Sequence, residues 1–190
     1  GSAKFKWGND SLESKKILVQ GTGNVGENLI KLLEKEGADI LVNDVNKSKL
    51  HDISEKYNVS IIEDNIYSQN IDIYAPCALG ATLNDNTIPL LNCSIIAGAA
   101  NNQLAQEDRH DKMLIDKNIL YAPDFLINAG GLINVYSELK GFGTDKVMNQ
   151  TGNIYDTTIS ILEKSKSENI SSQQAAFKIA KEKVYLKSIS

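Results

Sequence analysis

Gly21-Thr22-Gly23-Asn24-Val25-Gly26 is a run whose residue types and spacing suit one chemical task, the holding of a pyrophosphate. A glycine at 21 permits a tight turn, one at 23 lets backbone approach a phosphate, and one at 26 lets a helix pack close to a strand. The amides at the N-terminus of that helix would stabilise the phosphate charge. Alone, the run is a weak signal. Its setting strengthens it: Lys16 to Gln20 (KILVQ) before it predicts a strand, and Asn24 to Glu36 after it carries apolar residues at 25, 29, 30, 32 and 33, a helical stripe.

Asp44, followed by Val45, ends the next apolar stretch 18 residues after Gly26, near the spacing at which a carboxylate accepts hydrogen bonds from an adenosine ribose diol. A carboxylate there would repel the 2′-phosphate of NADP, and no Arg follows at once to hold it; Lys47 and Lys49 are the nearest cations. The spacing therefore predicts NAD as cofactor. An ordinary solvated Asp capping the next helix would occupy the same place, and the sequence leaves that alternative open.

The elements that must position these residues alternate along the chain. After a helical turn at Ala3 to Trp7, strands are expected at 16–20, 39–43, 59–62, 71–75, 94–97 and 119–121, and helices at 24–36 and 46–57. Short apolar strands with intervening helices predict an α/β fold of the Rossmann type, a doubly wound, mostly parallel sheet covered by helices on both faces. Past Asn128 the pattern turns helical, over roughly 128–140, 145–167 and 171–187, with Ser171-Ser172 as the N-cap candidate of the last. No repeat or linker interrupts residues 1–190, which are expected to form one domain.

Three further loops fall at strand ends, where open α/β sheets bind ligands. They are Ala75-Pro76-Cys77-Ala78-Leu79-Gly80, Gly98-Ala99-Ala100-Asn101-Asn102-Gln103, and Ala122-Pro123-Asp124 running on to Ile127-Asn128-Ala129-Gly130-Gly131. Small residues admit a flat ring, and Asn side chains both donate and accept, which suits ribose hydroxyls and a carboxamide. Taken singly, each loop also reads as plain turn chemistry.

The runs GTGNVG, IYAPCALGATLND, IAGAANNQL, EDRH and YAPDFLINAGGLINV together closely resemble the leucine dehydrogenases of the glutamate/leucine/phenylalanine/valine dehydrogenase family, from about Asp10 to about Lys187. The resemblance implies reversible, NAD-dependent oxidative deamination of a branched-chain L-amino acid to its 2-oxo acid, with leucine, isoleucine and valine all open. It implies that Gly21 to Gly26 hold the pyrophosphate and Asp44 the ribose, and that Ala75, Pro76, Cys77, Ala78 and Asn101 line the nicotinamide riboside. Asn128 would sit at the nicotinamide and substrate end. Family members commonly carry Ala at the place of Gly26.

The family's two catalytic lysines lie in a glycine-rich stretch with no counterpart here. The only Gly-Gly pair, Gly130-Gly131, is followed by Leu132. No catalytic residue is therefore expected in these 190 residues, and the chain alone is expected to hold cofactor without turning over substrate. Gly1-Ser2, with no initiator Met, reads as the scar of a cleaved tag on a domain cut from something longer, and the resemblance implies that the parent enzyme is a homo-oligomer.

A net charge of −4 with evenly mixed signs argues against nucleic acid as a partner, and no apolar run is long enough to span a bilayer. A cytoplasmic setting follows as the expectation, with Cys77 and Cys93 as thiols in core or loop rather than metal ligands. His51 and His110 fall in polar segments and are expected to be solvated or locally hydrogen-bonded. Trp7, Tyr155 and Tyr185 are expected to pack on helices. Two other classes compete: a non-catalytic nucleotide-sensing Rossmann domain, which leaves YAPDFLINAGG unexplained, and a methyltransferase, against which the glycine spacing and the helical tail both argue.

Overall fold

The computed structural model describes residues 1–189, with side chains described through residue 185. Six strands, β1 (Lys16–Gln20), β2 (Asp39–Asn43), β3 (Val59–Ile61), β4 (Ile73–Pro76), β5 (Ile95–Ile96) and β6 (Leu120–Tyr121), form one sheet in the order β3-β2-β1-β4-β5-β6. Every pairing is parallel. The order changes direction between β1 and β4, and at such a switch point the C-terminal ends of the strands open a crevice.

The sheet is covered on both sides because its central strands bury both faces. Ile17, Leu18 and Val19 are all buried, and alternate residues go to opposite cores. Ile17 and Val19 join Ile40, Val42, Ile73 and Ala75 in one core; Leu18 joins Tyr74, Ile96 and Tyr121 in the other. The first core is closed by Ile30 and Leu33 of α2 (Asn24–Lys35) and by Leu50 and Ile53 of α3 (Lys47–Lys56). The second is closed by Leu114 of α4 (Glu107–Asp116). Helix α1 (Ser2–Trp7) stops at Gly8, whose φ of 72° is left-handed, and Trp7 packs on the first core with the Lys15 ammonium 4.3 Å from its ring centre.

The tail consists of α5 (Asp124–Ile127), α6 (Gly130–Leu139), α7 (Thr144–Glu168) and α8 (Ser172–Ile189). Ser171 caps α8 as its sequence position predicts: its Oγ accepts from the Gln174 N–H at 3.2 Å, while the Gln174 side chain accepts from the Ser171 N–H at 3.3 Å. Ala175 and Ala176 then pack on Ile161 of α7. The Tyr155 hydroxyl of α7 donates to Asp10 at 3.1 Å. No helix among the described residues is long and apolar enough to cross a membrane.

The β3–β4 and β4–β5 connections carry 3-10 turns, at Ile66–Ser68 and Ile88–Leu90, in segments for which the sequence pattern names no helix. In the second, the Asn84 side chain accepts from the Asn86 and Thr87 N–H groups, a local bond that competes with helix, and Pro89 removes a donor. The helix expected over roughly 128–140 is α6, and a short helix not expected from the sequence, α5, precedes it and ends at Asn128.

His110 is buried rather than solvated. It lies one turn before Leu114 on the inner face of α4, its Nδ1 accepts the Gln106 N–H at 2.9 Å, and its Nε2 lies 3.6 Å from Asp85. His51 is exposed, 3.4 Å from Glu55 on the same helix.

Candidate functional site

β1 delivers the chain into the glycine turn, and two close approaches shape that turn. Gly21 has φ of 102°, and a Cβ on it would meet the Ala78 backbone N at 2.7 Å. A Cβ on Gly26 would fall 2.0 Å from the Gly21 carbonyl oxygen, so α2 is pressed onto the turn more closely than a methyl at 26 allows without backbone movement. Gly23 is the opposite case: nothing lies within 4 Å of the place its Cβ would take. It is the N-cap of α2, no side chain caps that helix, and Asn24 and Val25 open its first turn, Val25 exposed. Open backbone at an uncapped helix N-terminus fits a phosphate.

Asp44 stands just beyond β2, and its carboxylate is tied to the glycine turn. Oδ2 accepts from the Thr22 N–H at 2.7 Å and the Thr22 hydroxyl at 3.0 Å, while Oδ1 accepts from the Asn46 N–H at 2.9 Å. Partial burial would raise its pKa, but the bonds from Thr22 and Asn46 and the nearby Lys49 charge outweigh that and hold the carboxyl below its ordinary value. Asp44 is not the cap of α3; Asn46 is, accepting from the Lys49 N–H at 3.2 Å. Val45 is fully exposed beside it.

Asp44 and Val45 line a cleft of about 800 Å³, together with Gln20, Asn43, Lys47 and Leu50 on one side and the 63–68 segment on the other. The rim is acidic: Glu63 and Asp64 join Asp44, and Lys47 lies 3.7 Å from Glu63. At the cleft floor, the buried Tyr74 hydroxyl donates to the Gln20 side chain.

The other end of the crevice is assembled from three loops. Ala75 and Pro76 are the buried end of β4, followed by Cys77 and Ala78. Burial pushes the Cys77 thiol pKa up, against a hydrogen bond from the Ala99 backbone that lowers it. Gly98 is pressed on Pro76, where a Cβ would meet the Pro76 oxygen at 2.3 Å, and the Ala100 N–H donates to that oxygen at 2.9 Å. Asn101 and Asn128 meet directly, the Asn128 amide donating to Asn101 Oδ1 at 2.5 Å. The glycine turn, Asp44 and the loops after β4 and β5 thus stand at the C-terminal ends of the strands, with the glycine turn touching Ala78, while Ala75, expected at the nicotinamide riboside, turns its side chain into the first core.

Two residues were quoted within these loops without a role. Gln103 is fully buried, its Nε2 donating to the Gly98 carbonyl at 2.6 Å and the Ala100 carbonyl at 3.0 Å. Asp124 is buried too, accepting from the Gln103 N–H at 3.2 Å. A polar side chain ending a run of small residues is the only sequence signal for either.

Residues 41–188 match the sequence profile described as Glutamate/Leucine/Phenylalanine/Valine dehydrogenase. The chain belongs to this family. Within it, a leucine dehydrogenase of Bacillus cereus is 47% identical over 184 residues, covering 96% of this chain and 50% of that protein. An L-tryptophan dehydrogenase of Nostoc punctiforme is 45% identical over 184 residues, 96% of this chain and 52% of that protein. A crystal structure of L-tryptophan dehydrogenase from Nostoc punctiforme superposes with a TM-score of 0.97 at 43% identity, over 100% of this chain and 56% of that one.

The chain spans about half the length of the curated relatives it matches. The resemblance to leucine dehydrogenase therefore resolves to the amino-acid dehydrogenase family, since relatives named for leucine and for tryptophan differ by only two points of identity. The hetero-hexameric glutamate dehydrogenase of Thermus thermophilus, with a TM-score of 0.68 at 17% identity, shares the fold.

Proposed function

We propose that this chain is the cofactor-binding domain of an NAD-dependent L-amino acid dehydrogenase that reversibly deaminates a branched-chain amino acid, leucine foremost, to its 2-oxo acid. The observation that carries the reading is the glycine turn, with Gly23 open, α2 uncapped and Asp44 locked beside it. The pyrophosphate would lie on the amides of residues 22–26 and the adenosine ribose at Asp44 and Val45, with adenine in the cleft beyond. Ala75, Pro76, Cys77, Ala78, Asn101 and Asn128 would surround the nicotinamide riboside, Asn128 facing the amino acid.

When bound, NAD supplies the two-electron acceptor at its nicotinamide ring. This chain's own residues orient that ring and exclude water from one side of it: the small, exposed side chain at 78 admits a flat group, and the Asn101–Asn128 pair, joined by one hydrogen bond, keeps further amide donors and acceptors for a carboxamide. The acidic rim of Asp44, Glu63 and Asp64, with Lys47 beside Glu63, disfavours a 2′-phosphate, which supports NAD over NADP. The lysines that would bind the substrate carboxylate and move its proton would lie outside these 190 residues, in the rest of a homo-oligomeric, cytoplasmic parent enzyme. All 190 residues then act as one domain.

Calorimetric titration with NAD and with NADP, beside a deamination assay on the same sample with leucine, isoleucine and valine, tests this. Binding of NAD at least tenfold tighter than NADP, without turnover, is the expected result. Equal affinity for the two would remove the cofactor preference; turnover would remove the placement of the catalytic groups; binding of neither would remove the domain assignment.

A further inference from the structure

Gln103 makes no contact with the open crevice, yet it touches every piece that forms the Asn101–Asn128 end. Its Nε2 bonds the carbonyls of Gly98 and Ala100, so both flanks of the short turn leading to Asn101 hang from one buried amide. Its backbone N–H donates to Asp124 Oδ2 at 3.2 Å, and the Asp124 carbonyl in turn accepts the Asn128 N–H at 3.0 Å. The backbone oxygen of the same residue accepts the Leu83 N–H at 3.0 Å, tying in the loop that follows Ala78. Three loops therefore meet at this residue, the loops of Leu83 and Asp124 through its backbone and the turn leading to Asn101 through its side chain.

The chemistry of that anchor is specific. Two carbonyl oxygens face Nε2, and only a side chain that donates two hydrogen bonds from one atom satisfies both. Gly98 and Gly80 explain why the carbonyls converge there. A Cβ on Gly98 would strike Pro76, and one on Gly80 would come within 2.6 Å of the Asn101 oxygen, so the turn has no room to relax away from Gln103. Losing the donor leaves two buried carbonyls without it and releases the turn.

We propose that the Gln103 side chain is the positioning group of the nicotinamide end: acting through the Gly98 and Ala100 carbonyls, it holds the 98–102 turn and so sets the place of Asn101 against Asn128 without touching cofactor. This rests on the cofactor-binding reading above. It predicts that Gln103 governs the affinity gained by the nicotinamide half and leaves the adenosine half, held by the glycine turn and Asp44, untouched.

The test compares NAD with ADP, which carries only the adenosine half, by calorimetry on the wild-type chain and on Gln103→Met and Gln103→Glu. The wild type should bind NAD more tightly than ADP. Both variants should lose about tenfold or more in NAD affinity while ADP affinity stays within twofold, and intact ADP binding also shows that the variant is folded. Gln103→Glu adds a signature that lost packing would not give. A carboxylate facing two carbonyls repels them, whereas the protonated acid donates, so its NAD affinity should recover as pH falls from 8 towards 5 and that of Gln103→Met should not.

Variants that keep the wild-type ratio of NAD to ADP affinity would overturn the proposal, as would equal loss of both ligands, which marks a general structural role. A wild type that binds neither ligand defeats the cofactor reading itself, and is distinguishable because it needs no variant.

Discussion

At the glycine-turn end of the crevice, one continuous stretch from Gln20 to Asn46 supplies the parts: a turn, a helix N-terminus and a carboxylate that bonds back to Thr22. At the Asn128 end, the parts come from three separate connections and are joined by side-chain amides, Asn101 with Asn128 and Gln103 with Gly98 and Ala100. The first end is fixed by backbone geometry that few residue types can adopt. The second is fixed by long-range pairing, in which any one partner can be lost while the chain still folds. Anchoring a cofactor and placing its reactive ring are thus separable tasks in this fold, with separate sensitivities to mutation.

The largest break in that contrast should come from Gly21→Ala. Ala at φ of 102° with its methyl against Ala78 requires the turn to open. Stability should fall by about 2–4 kcal/mol in denaturant titration, from unfavourable φ plus overpacking. NAD and ADP affinity should both fall roughly a hundredfold, a loss of about 2.7 kcal/mol. Wild-type affinity in this variant would mean that the turn is softer than its contacts imply.

Asp44→Ala comes next. It removes a charged acceptor of three hydrogen bonds, and about tenfold weaker NAD binding is expected, with a smaller change for NADP. The pH dependence follows from the same carboxyl. Its folded pKa is below the ordinary value of 3.8, so its stabilisation is in place above that value and is lost as pH falls through the depressed one. Thermal melts should show this acid limb in the wild type and a shallower one in Asp44→Asn.

Asn128→Ala should act only at the far end, weakening NAD by about two- to fivefold, as for one partly exposed hydrogen bond, and ADP not at all. A fall in ADP affinity would show that the two ends are coupled. The smallest effect separates the thiols. Burial pushes Cys93 up to about 12 and Cys77 upward, so alkylation at pH 8 should be slow at both and slowest at Cys93, and NAD should protect Cys77 alone.

How far the sequence carried each end follows the same division. Gly21, Gly23, Gly26 and Asp44 were legible because their constraints are local: positive φ, close approach, and a fixed number of residues per βαβ unit. The alternation of Ile17, Leu18 and Val19 between two cores was legible from a continuous apolar strand. Gln103 and Asp124 were not, since a polar residue between Asn102 and Leu104 reads as solvated until a partner 21 positions away is folded over it. His110 makes the local hydrogen bond its polar segment suggests, but its burial was not legible: EDRH is polar in sequence, yet the i, i+4 relation to Leu114 turns His110 inward.

Trp7 is the single tryptophan of the chain, clamped between the first core and Lys15. Optically, this makes the molecule a one-lamp instrument. Reduced nicotinamide absorbs where indole emits, so occupancy of the crevice can be read as energy transfer from one fixed donor, with no second emitter to subtract. One donor site and one acceptor site should give a single transfer efficiency, and a decay with two shortened lifetimes would count two placements of the ring.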